Sequence, residues 1–358
     1  MPSHLLLKQR NRLLTLGCAL LGVALFRWLE LPLPFLFGPL FACLAAALLG
    51  AQLKGFGFIS KVGRVVLGVA IGSSLTPALA HALPSIAMSV AFIPLYVLVI
   101  CLIGVPLFER VGKLDRQTAY YAAVPGGLQD MVVFGIEAGA DPKALSLIHA
   151  TRVLIVVVLA PILVTQLFGA SLDRPIGAPA TTIPLEELVY MGIAGVAGWQ
   201  VFERLKLFGA TIIGPMLATA PLALSGVIES RPPEEALIFA QFFIGLGIGV
   251  HYTGVKLKEV AGLLALATLF VMVLAALAAL FTLAIASFDV GHTMLDIFLA
   301  YAPGGQAEMT LLAIISGADL GFVIVHHLSR MVLVILGAPV AARFFLRKPK
   351  VSPDSSTQ

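Results

Sequence analysis

Charged side chains make up only 12% of this 358-residue chain, against 59% hydrophobic residues, whereas an ordinary soluble domain is about a quarter charged. So little charge cannot cover a water-facing surface, and a mean hydropathy of +1.01 makes the bilayer the main solvent. Cysteine is nearly missing. Cys18, Cys43 and Cys101 all sit inside apolar runs, where a thiol behaves as a small buried hydrophobe, so no disulfide or metal framework is implied. The seven histidines are scattered, with His4 and His292 peripheral, which argues against the clustered ligands that a copper or iron oxygenase needs. No cofactor is expected. Long polar connections are lacking too, which leaves no room for a soluble domain or a DNA-binding module. The net charge of +4 lies in short patches rather than along one face, so nucleic acid is not an expected partner.

What the chain does have is apolar segments of near-membrane length, about 20 residues being needed to span. They fall near 13–29, 34–50, 62–76, 86–108, 119–139 and 144–168, and again near 187–202, 208–226, 236–252, 260–288, 294–316 and 320–346. The basic residues Lys8, Arg10 and Arg12 before the first segment resemble the start of a signal peptide. With no good cleavage site and an apolar run continuing to Trp28, an uncleaved first membrane helix is the expectation.

The two sets of segments are related. An offset of 178 pairs Pro125-Gly126-Gly127 with Pro303-Gly304-Gly305, Asp130 with Glu308, Met131 with Met309, and 139–141 with 317–319. The same offset pairs His149 with His327, Arg152 with Arg330 and Pro161 with Pro339. Earlier in each half, Gly38-Pro39 answers Gly214-Pro215, and Gly68, Gly72 and Thr76 answer Gly245, Gly249 and Thr253. Shared hydrophobicity produces matches in Leu and Val, not in Pro, Gly, Asp, His and Arg. The fold class expected is therefore all-α integral membrane, built from two homologous repeats. The first repeat would span 1–170 and a linker 171–186, followed by a second repeat at 187–346 and a cytoplasmic tail at 347–358.

Charge placement bears on the orientation of the halves, because short cytoplasmic loops carry excess Lys and Arg. In half one the basic loops are the first, third and fifth, the third holding Lys54, Lys61 and Arg64. In half two the basic spots fall at Arg204 and Lys206, at Lys256 and Lys258, and at the tail, which is the opposite phase. An inverted arrangement needs an odd number of crossings per half, about five. One segment of each half would then dip and return, and the Pro-Gly-Gly segments 119–139 and 294–316 are the natural pair. Re-entrant loops and broken crossing helices both remain open, as do twelve plain spans with parallel halves. The inverted layout places both termini in the cytoplasm.

The stretch 125–131 (Pro-Gly-Gly-Leu-Gln-Asp-Met), the Gly-Ala-Asp at 139–141 with His149 and Arg152, and their second copies resemble the AbrB, or AbrB-duplication, family of bacterial membrane proteins over nearly the whole chain. The resemblance implies a place in the inner membrane. Labels as ammonia monooxygenases or as regulators of gene expression come with that family and imply little about mechanism. Paired halves with glycine-rich breaks also look, more distantly, like secondary transporters for organic ions.

Matching helix interruptions in two halves point to a transporter binding site at the bilayer midplane. Pro125, Gly126, Gly127, Gln129 and Arg152, with Pro303, Gly304, Gly305, Gln306 and Arg330, are the candidate substrate-binding residues. The glycines supply backbone freedom there. Intramembrane carboxylates and the residues around them are candidates for ion coupling, namely Asp130, Asp141, His149, Glu308, Asp319 and His327. Simpler readings stand beside these: Asp141 and Asp319 as helix N-caps, the arginines in fixed ion pairs with Asp130, Glu308 or an N-cap carboxylate, His326 as packing, and the glycines four apart as helix-packing surfaces.

The function expected is transport of a small, anionic organic solute by alternating access, not catalysis. The alternatives are a membrane-embedded regulator acting indirectly on gene expression and a metal-dependent monooxygenase. Expected partners are the lipid bilayer and a small solute with H+ or Na+, and a homo-oligomer stays open.

Overall fold

The computed structural model describes residues 2–31, 33–75, 86–172, 176–207, 209–288 and 290–346. Thr76 lies outside them, as does the whole of the predicted tail at 347–358, and so does the side chain of Gln129. All the regular structure among the described residues is helical. In half one it consists of α1 (Pro2–Trp28), α2 (Pro34–Leu48), α3 (Gly57–Gly72), α4 (Ile86–Val111), α5 (Arg116–Ala123), α6 (Leu128–Glu137) and α7 (Pro142–Phe168). In half two it consists of α8 (Leu185–Arg204), α9 (Ile213–Leu224), α10 (Glu234–Val250), α11 (Leu257–Ala286), α12 (Met294–Tyr301), α13 (Gln306–Ser316) and α14 (Leu320–Phe345).

Helices α4, α7, α11 and α14 carry stretches of 23 to 27 residues long and apolar enough to cross a bilayer. Only 28% to 61% of their most apolar windows is buried inside the protein. The remainder, including Leu98, Leu102, Leu280, Leu283 and Leu336, is outward-facing apolar surface. A soluble monomer seldom leaves such patches bare, and their presence fits a membrane protein.

Helix packing divides the chain into two bodies. One is a six-helix panel in which α1 packs on α2, α2 on α10, α10 on α3, α3 on α9 and α9 on α8. The other, the core, holds α4 to α7 and α11 to α14, with α7 against α11 and α14 against α4. Each body draws on both halves of the sequence. The bodies meet chiefly where α3 touches α13 and α14, and where α10 touches α7.

Glycine makes the panel possible. A Cβ on Gly68 would collide with the carbonyl of Ile212, and one on Gly72 with that of Met216, 2.6 Å away. On the other side of the panel, Gly245 lies on the Leu36 carbonyl and Gly249 on that of Leu40, 2.6 Å away. The glycines four apart are thus the surfaces on which α3 meets α9 and α10 meets α2.

The structure moves helix starts outward at two basic patches. Helix α1 begins at Pro2 and α3 at Gly57, so Arg10 and Arg12, expected before the first segment, and Arg64, expected in a basic cytoplasmic loop, stand inside helices. The charged cluster of Lys61 and Arg64 hid the start of α3, since hydropathy falls wherever a helix carries charges along one side.

Candidate functional site

Each Pro-Gly-Gly segment is a hairpin of two short helices. Helices α5 and α6, of 8 and 10 residues, run roughly 12 and 15 Å at 1.5 Å per residue, and neither can span a bilayer core of about 30 Å. Their outer ends meet. The amide of Asp141 donates to Oγ1 of Thr118 at 2.8 Å, so the start of α5 and the N-cap of α7, which follows α6, lie at one level. In the second hairpin the amide of Asp319 donates to Oδ1 of Asp296 at 2.7 Å, which ties α12 to the end of α13 in the same way. Each segment reverses direction at its Pro-Gly-Gly tip.

The Gly-Ala-Asp motifs close these hairpins. Gly139 (φ 84°) and Gly317 (φ 72°) adopt the left-handed conformation that ends α6 and α13, a conformation readily available only to glycine. Two residues later Asp141 accepts from the amides of Lys143 and Ala144, and Asp319 accepts from that of Phe322. Both are N-caps of the long helix that follows. Asp319 also lies 3.6 Å from Nδ1 of His292.

At the tips the glycines serve a purpose other than the one expected. Gly127 (φ −65°) and Gly305 (φ −72°) have backbone angles open to any residue. What they provide is room. A Cβ on Gly126 would press on Met131, and one on Gly304 on Met309, each within 2.8 Å of the sulfur. A Cβ on Gly127 would reach a carboxylate oxygen of Asp130 at 2.6 Å, and one on Gly305 would strike Glu308. Each carboxylate folds back over the glycine at its tip.

Side chains from α7 and α14 hold the carbonyl ends of the incoming helices. Nε2 of His149 donates to the carbonyl of Tyr121 at 3.0 Å, and Nε2 of His327 donates to that of Leu299 at 2.9 Å. Arg152 donates to the Gly126 carbonyl. Arg330 donates to the carbonyls of Ala302 at 2.9 Å and Gly304 at 3.0 Å. Arg152 stands ten residues past Pro142, so the tip it holds lies roughly 15 Å along α7 from its start. Tyr96 on α4 donates to the Tyr301 carbonyl at 2.8 Å, and Tyr120 on α5 donates to that of Ala338 at 2.9 Å. Each hairpin is thereby pinned to a long helix of the other half.

Neither arginine makes an ion pair within 4.0 Å of a carboxylate among the described residues. Main-chain carbonyls take the place of the Asp130, Glu308 or N-cap partners expected as the structural alternative. Neither Gly127 nor Gly305 gives α6 or α13 a side-chain cap. The N–H groups at a helix start favour negative charge.

The two hairpins differ in what remains unbonded. Arg330, 6% exposed, uses Nη1 and Nη2 on carbonyls and also donates to Nδ1 of His327 at 2.8 Å. Arg152, 4% exposed, leaves Nε and Nη1 without partners. Both polar ends of Gln306 at the start of α13 are also unpartnered, as is Nε2 of Gln241 on α10. Buried polar atoms seldom stay unbonded. The charges of Arg152 and Arg330 act on one another, and Glu308 feels both Arg152 and Arg64. His326, expected to be packing, lies against Phe322 with ring centroids 4.2 Å apart, and its Nε2 is 2.9 Å from Oγ of Ser89.

Comparison with known proteins matches residues 35–346 to the family described as Transition state regulatory protein AbrB. The chain belongs to the AbrB family. Among its AbrB relatives, the Escherichia coli (strain K12) protein named "Putative regulator AbrB" is 27% identical over 323 residues, which is 89% of this chain and 92% of that one. YhjN of Bacillus subtilis (strain 168), titled an uncharacterized protein, is 27% identical over 300 residues, covering 78% and 76%. The AbrB match takes in both hairpins and every residue of the cluster around Arg152.

Arg64 is the residue that sequence reasoning missed. Its signal was present: at the spacing that joins Gly68 to Gly245, Arg64 answers Gln241, which places it on the glycine-bearing helix and not before it.

Proposed function

We propose that this chain is a secondary transporter of the bacterial inner membrane, with inverted halves, that moves a small organic anion by alternating access. The observation that carries the reading is the position of the unpartnered buried groups. Arg152 and Gln306 belong to the core, Gln241 belongs to the panel, and α13 meets α3 where the two bodies touch. A polar site between two bodies opens to one side or the other when they shift, and a solute bound there is carried across.

Several features support inversion. On α7, Asp141 lies at the base of hairpin one and Arg152 at its tip. Val157 and Pro161, further along, border a cavity of about 10 Å3 together with Glu308 and Met309 of hairpin two. The hairpins thus approach α7 from opposite ends. Packing is reciprocal as well: Gly68 and Gly72 meet Ile212 and Met216 as Gly245 and Gly249 meet Leu36 and Leu40, and these residues correspond at the repeat spacing. With the basic loops on the cytoplasmic side, hairpin one enters from the cytoplasm and hairpin two from the other face.

Within this reading Asp130 and Glu308, at the tips, carry the coupling H+ or Na+. Asp141 and Asp319 are spent on capping, and His149 and His327 hold backbone. A role in gene expression, the sense of the name given to the Escherichia coli relative, would then follow from the level of the transported metabolite. The test is a thermal-shift screen of organic acids on purified protein, followed by solute counterflow in proteoliposomes. A ligand that binds saturably and exchanges across the vesicle membrane is the expected result. Saturable binding with no exchange at any ion gradient would overturn transport.

A further inference from the structure

The charges around the second hairpin are unbalanced. Three guanidinium groups, those of Arg64, Arg152 and Arg330, are linked electrostatically to one carboxylate or to one another, and that carboxylate is Glu308. Arg330 is occupied by two carbonyls and His327, but these contacts neutralise no charge. Even with Asp130 counted, whose carboxylate folds over Gly127 beside the Gly126 carbonyl that Arg152 holds, positive charge is in excess. Uncompensated charge away from water is strongly unfavourable unless it is paired.

Geometry converges on the same place. Ala307, between Gln306 and Glu308, packs into one cluster with Leu67 and Ala70 of α3 and with Leu237 and Ala240 of α10. A Cβ on Gly63 would lie 3.1 Å from Cα of Ala240. Arg64 therefore follows a residue in contact with α10, and Gln241 follows the residue it contacts. Gln241 is 2% exposed and Gln306 is 7% exposed, and both present unpartnered amide atoms. Amide groups with no protein partner suit a ligand that brings its own hydrogen-bonding oxygens.

We infer that the cleft between panel and core at the second hairpin binds a small organic dianion with two carboxylates, held by Arg152 and Arg64 and hydrogen-bonded by Gln241 and Gln306. Arg330 is then the structural member of the arginine pair, and the two copies have divided their work. This deepens the transport reading and rests on it for the route of entry, because the cavity of about 10 Å3 beside Glu308 has room for little more than one water. The two bodies must part before such a ligand is admitted.

Succinate and butyrate separate the possibilities, having the same carbon count but two carboxylates and one. With purified protein in detergent, succinate is expected to raise the melting temperature saturably, with butyrate and sulfate inactive at equal ionic strength. Losing a hydrogen bond to a charged group should weaken succinate binding roughly ten- to hundredfold in Arg152→Gln, Arg64→Gln and Gln306→Leu. Each variant is read against its own unliganded melt. Gln306→Leu removes no protein hydrogen bond, so it keeps the test alive should either arginine variant fail to fold. Equal stabilisation by butyrate, sulfate binding as tight as succinate, no stabilisation by succinate, or wild-type affinity in Gln306→Leu would each overturn the dianion site. Transport would then still be tested by counterflow of other solutes. Succinate binding without exchange would leave the site standing and remove transport instead.

Discussion

Arg330 donates from Nη2 to Nδ1 of His327 across 2.8 Å, and this contact fixes the state of the imidazole. A guanidinium has only donors, so Nδ1 must be the acceptor, and Nε2 carries the proton it gives to the Leu299 carbonyl. His327 is held neutral in one tautomer. A second proton would set two donors face to face, which suits this histidine to positioning the hairpin and not to shuttling a coupling ion.

Replacing His327 by Ala should therefore act on stability. The carbonyl of Leu299 would lose its partner, and an unsatisfied buried acceptor costs about 1–3 kcal/mol. His327→Ala should melt measurably below wild type in detergent, while the pH dependence of transport stays as it was. An altered pH profile in a well-folded His327→Ala would return the residue to the coupling path.

The arginines should separate in the same assay. Arg330→Gln abandons two carbonyls and a histidine, whereas Arg152→Gln abandons a single carbonyl. At about 1–3 kcal/mol for each stranded group, Arg330→Gln should be clearly the less stable of the two in thermal unfolding. Equal destabilisation would mean that Arg152 is as structural as its counterpart.

Glycine-to-alanine variants test the panel. At Gly68 and Gly245 a methyl group would run into a carbonyl of α9 or α2, and overpacking of this kind costs typically about 1–3 kcal/mol. At Gly192 and Gly262 nothing lies within 4 Å of the added carbon, so Ala should be neutral or stabilise the helix by up to about 1 kcal/mol. Melting curves of fluorescent fusions would rank the four. A well-tolerated Gly245→Ala would contradict the close approach of α10 to α2.

Inversion predicts sidedness. With Cys18, Cys43 and Cys101 replaced, single cysteines at Gly57 and Lys256 should both be cytoplasmic, and cysteines at Lys143 and Gly291 should lie on opposite faces. Labelling of intact cells with a membrane-impermeant thiol reagent reads the result directly. Positions 57 and 256 on opposite faces would exclude inverted halves.

Much of this architecture is written in local sequence. Pro125 and Pro303 mark the helix breaks, Gly139 with Asp141 and Gly317 with Asp319 mark the close of one helix and the start of the next, and hydropathy locates the long helices. The partners of Arg152 and Arg330 were not legible, because a main-chain carbonyl acceptor leaves no trace in residue type. Nor was the division into panel and core. It depends on which distant carbonyl each glycine meets, and Gly68 with Ile212 or Gly245 with Leu36 cannot be paired from composition. Arg64 was hidden by its own charge.

The panel also sets a timetable for synthesis. Gly72 of α3 cannot find the Met216 carbonyl it packs on until about 140 further residues have been made, which takes roughly seven to thirty seconds at 5–20 residues per second. During that interval α3 waits in the bilayer with its glycine face open to lipid or to other nascent chains. A membrane insertase or chaperone that shields small-residue faces would find its substrate there, and slowing translation between α3 and α9 should lower the yield of folded protein more than slowing it after α10.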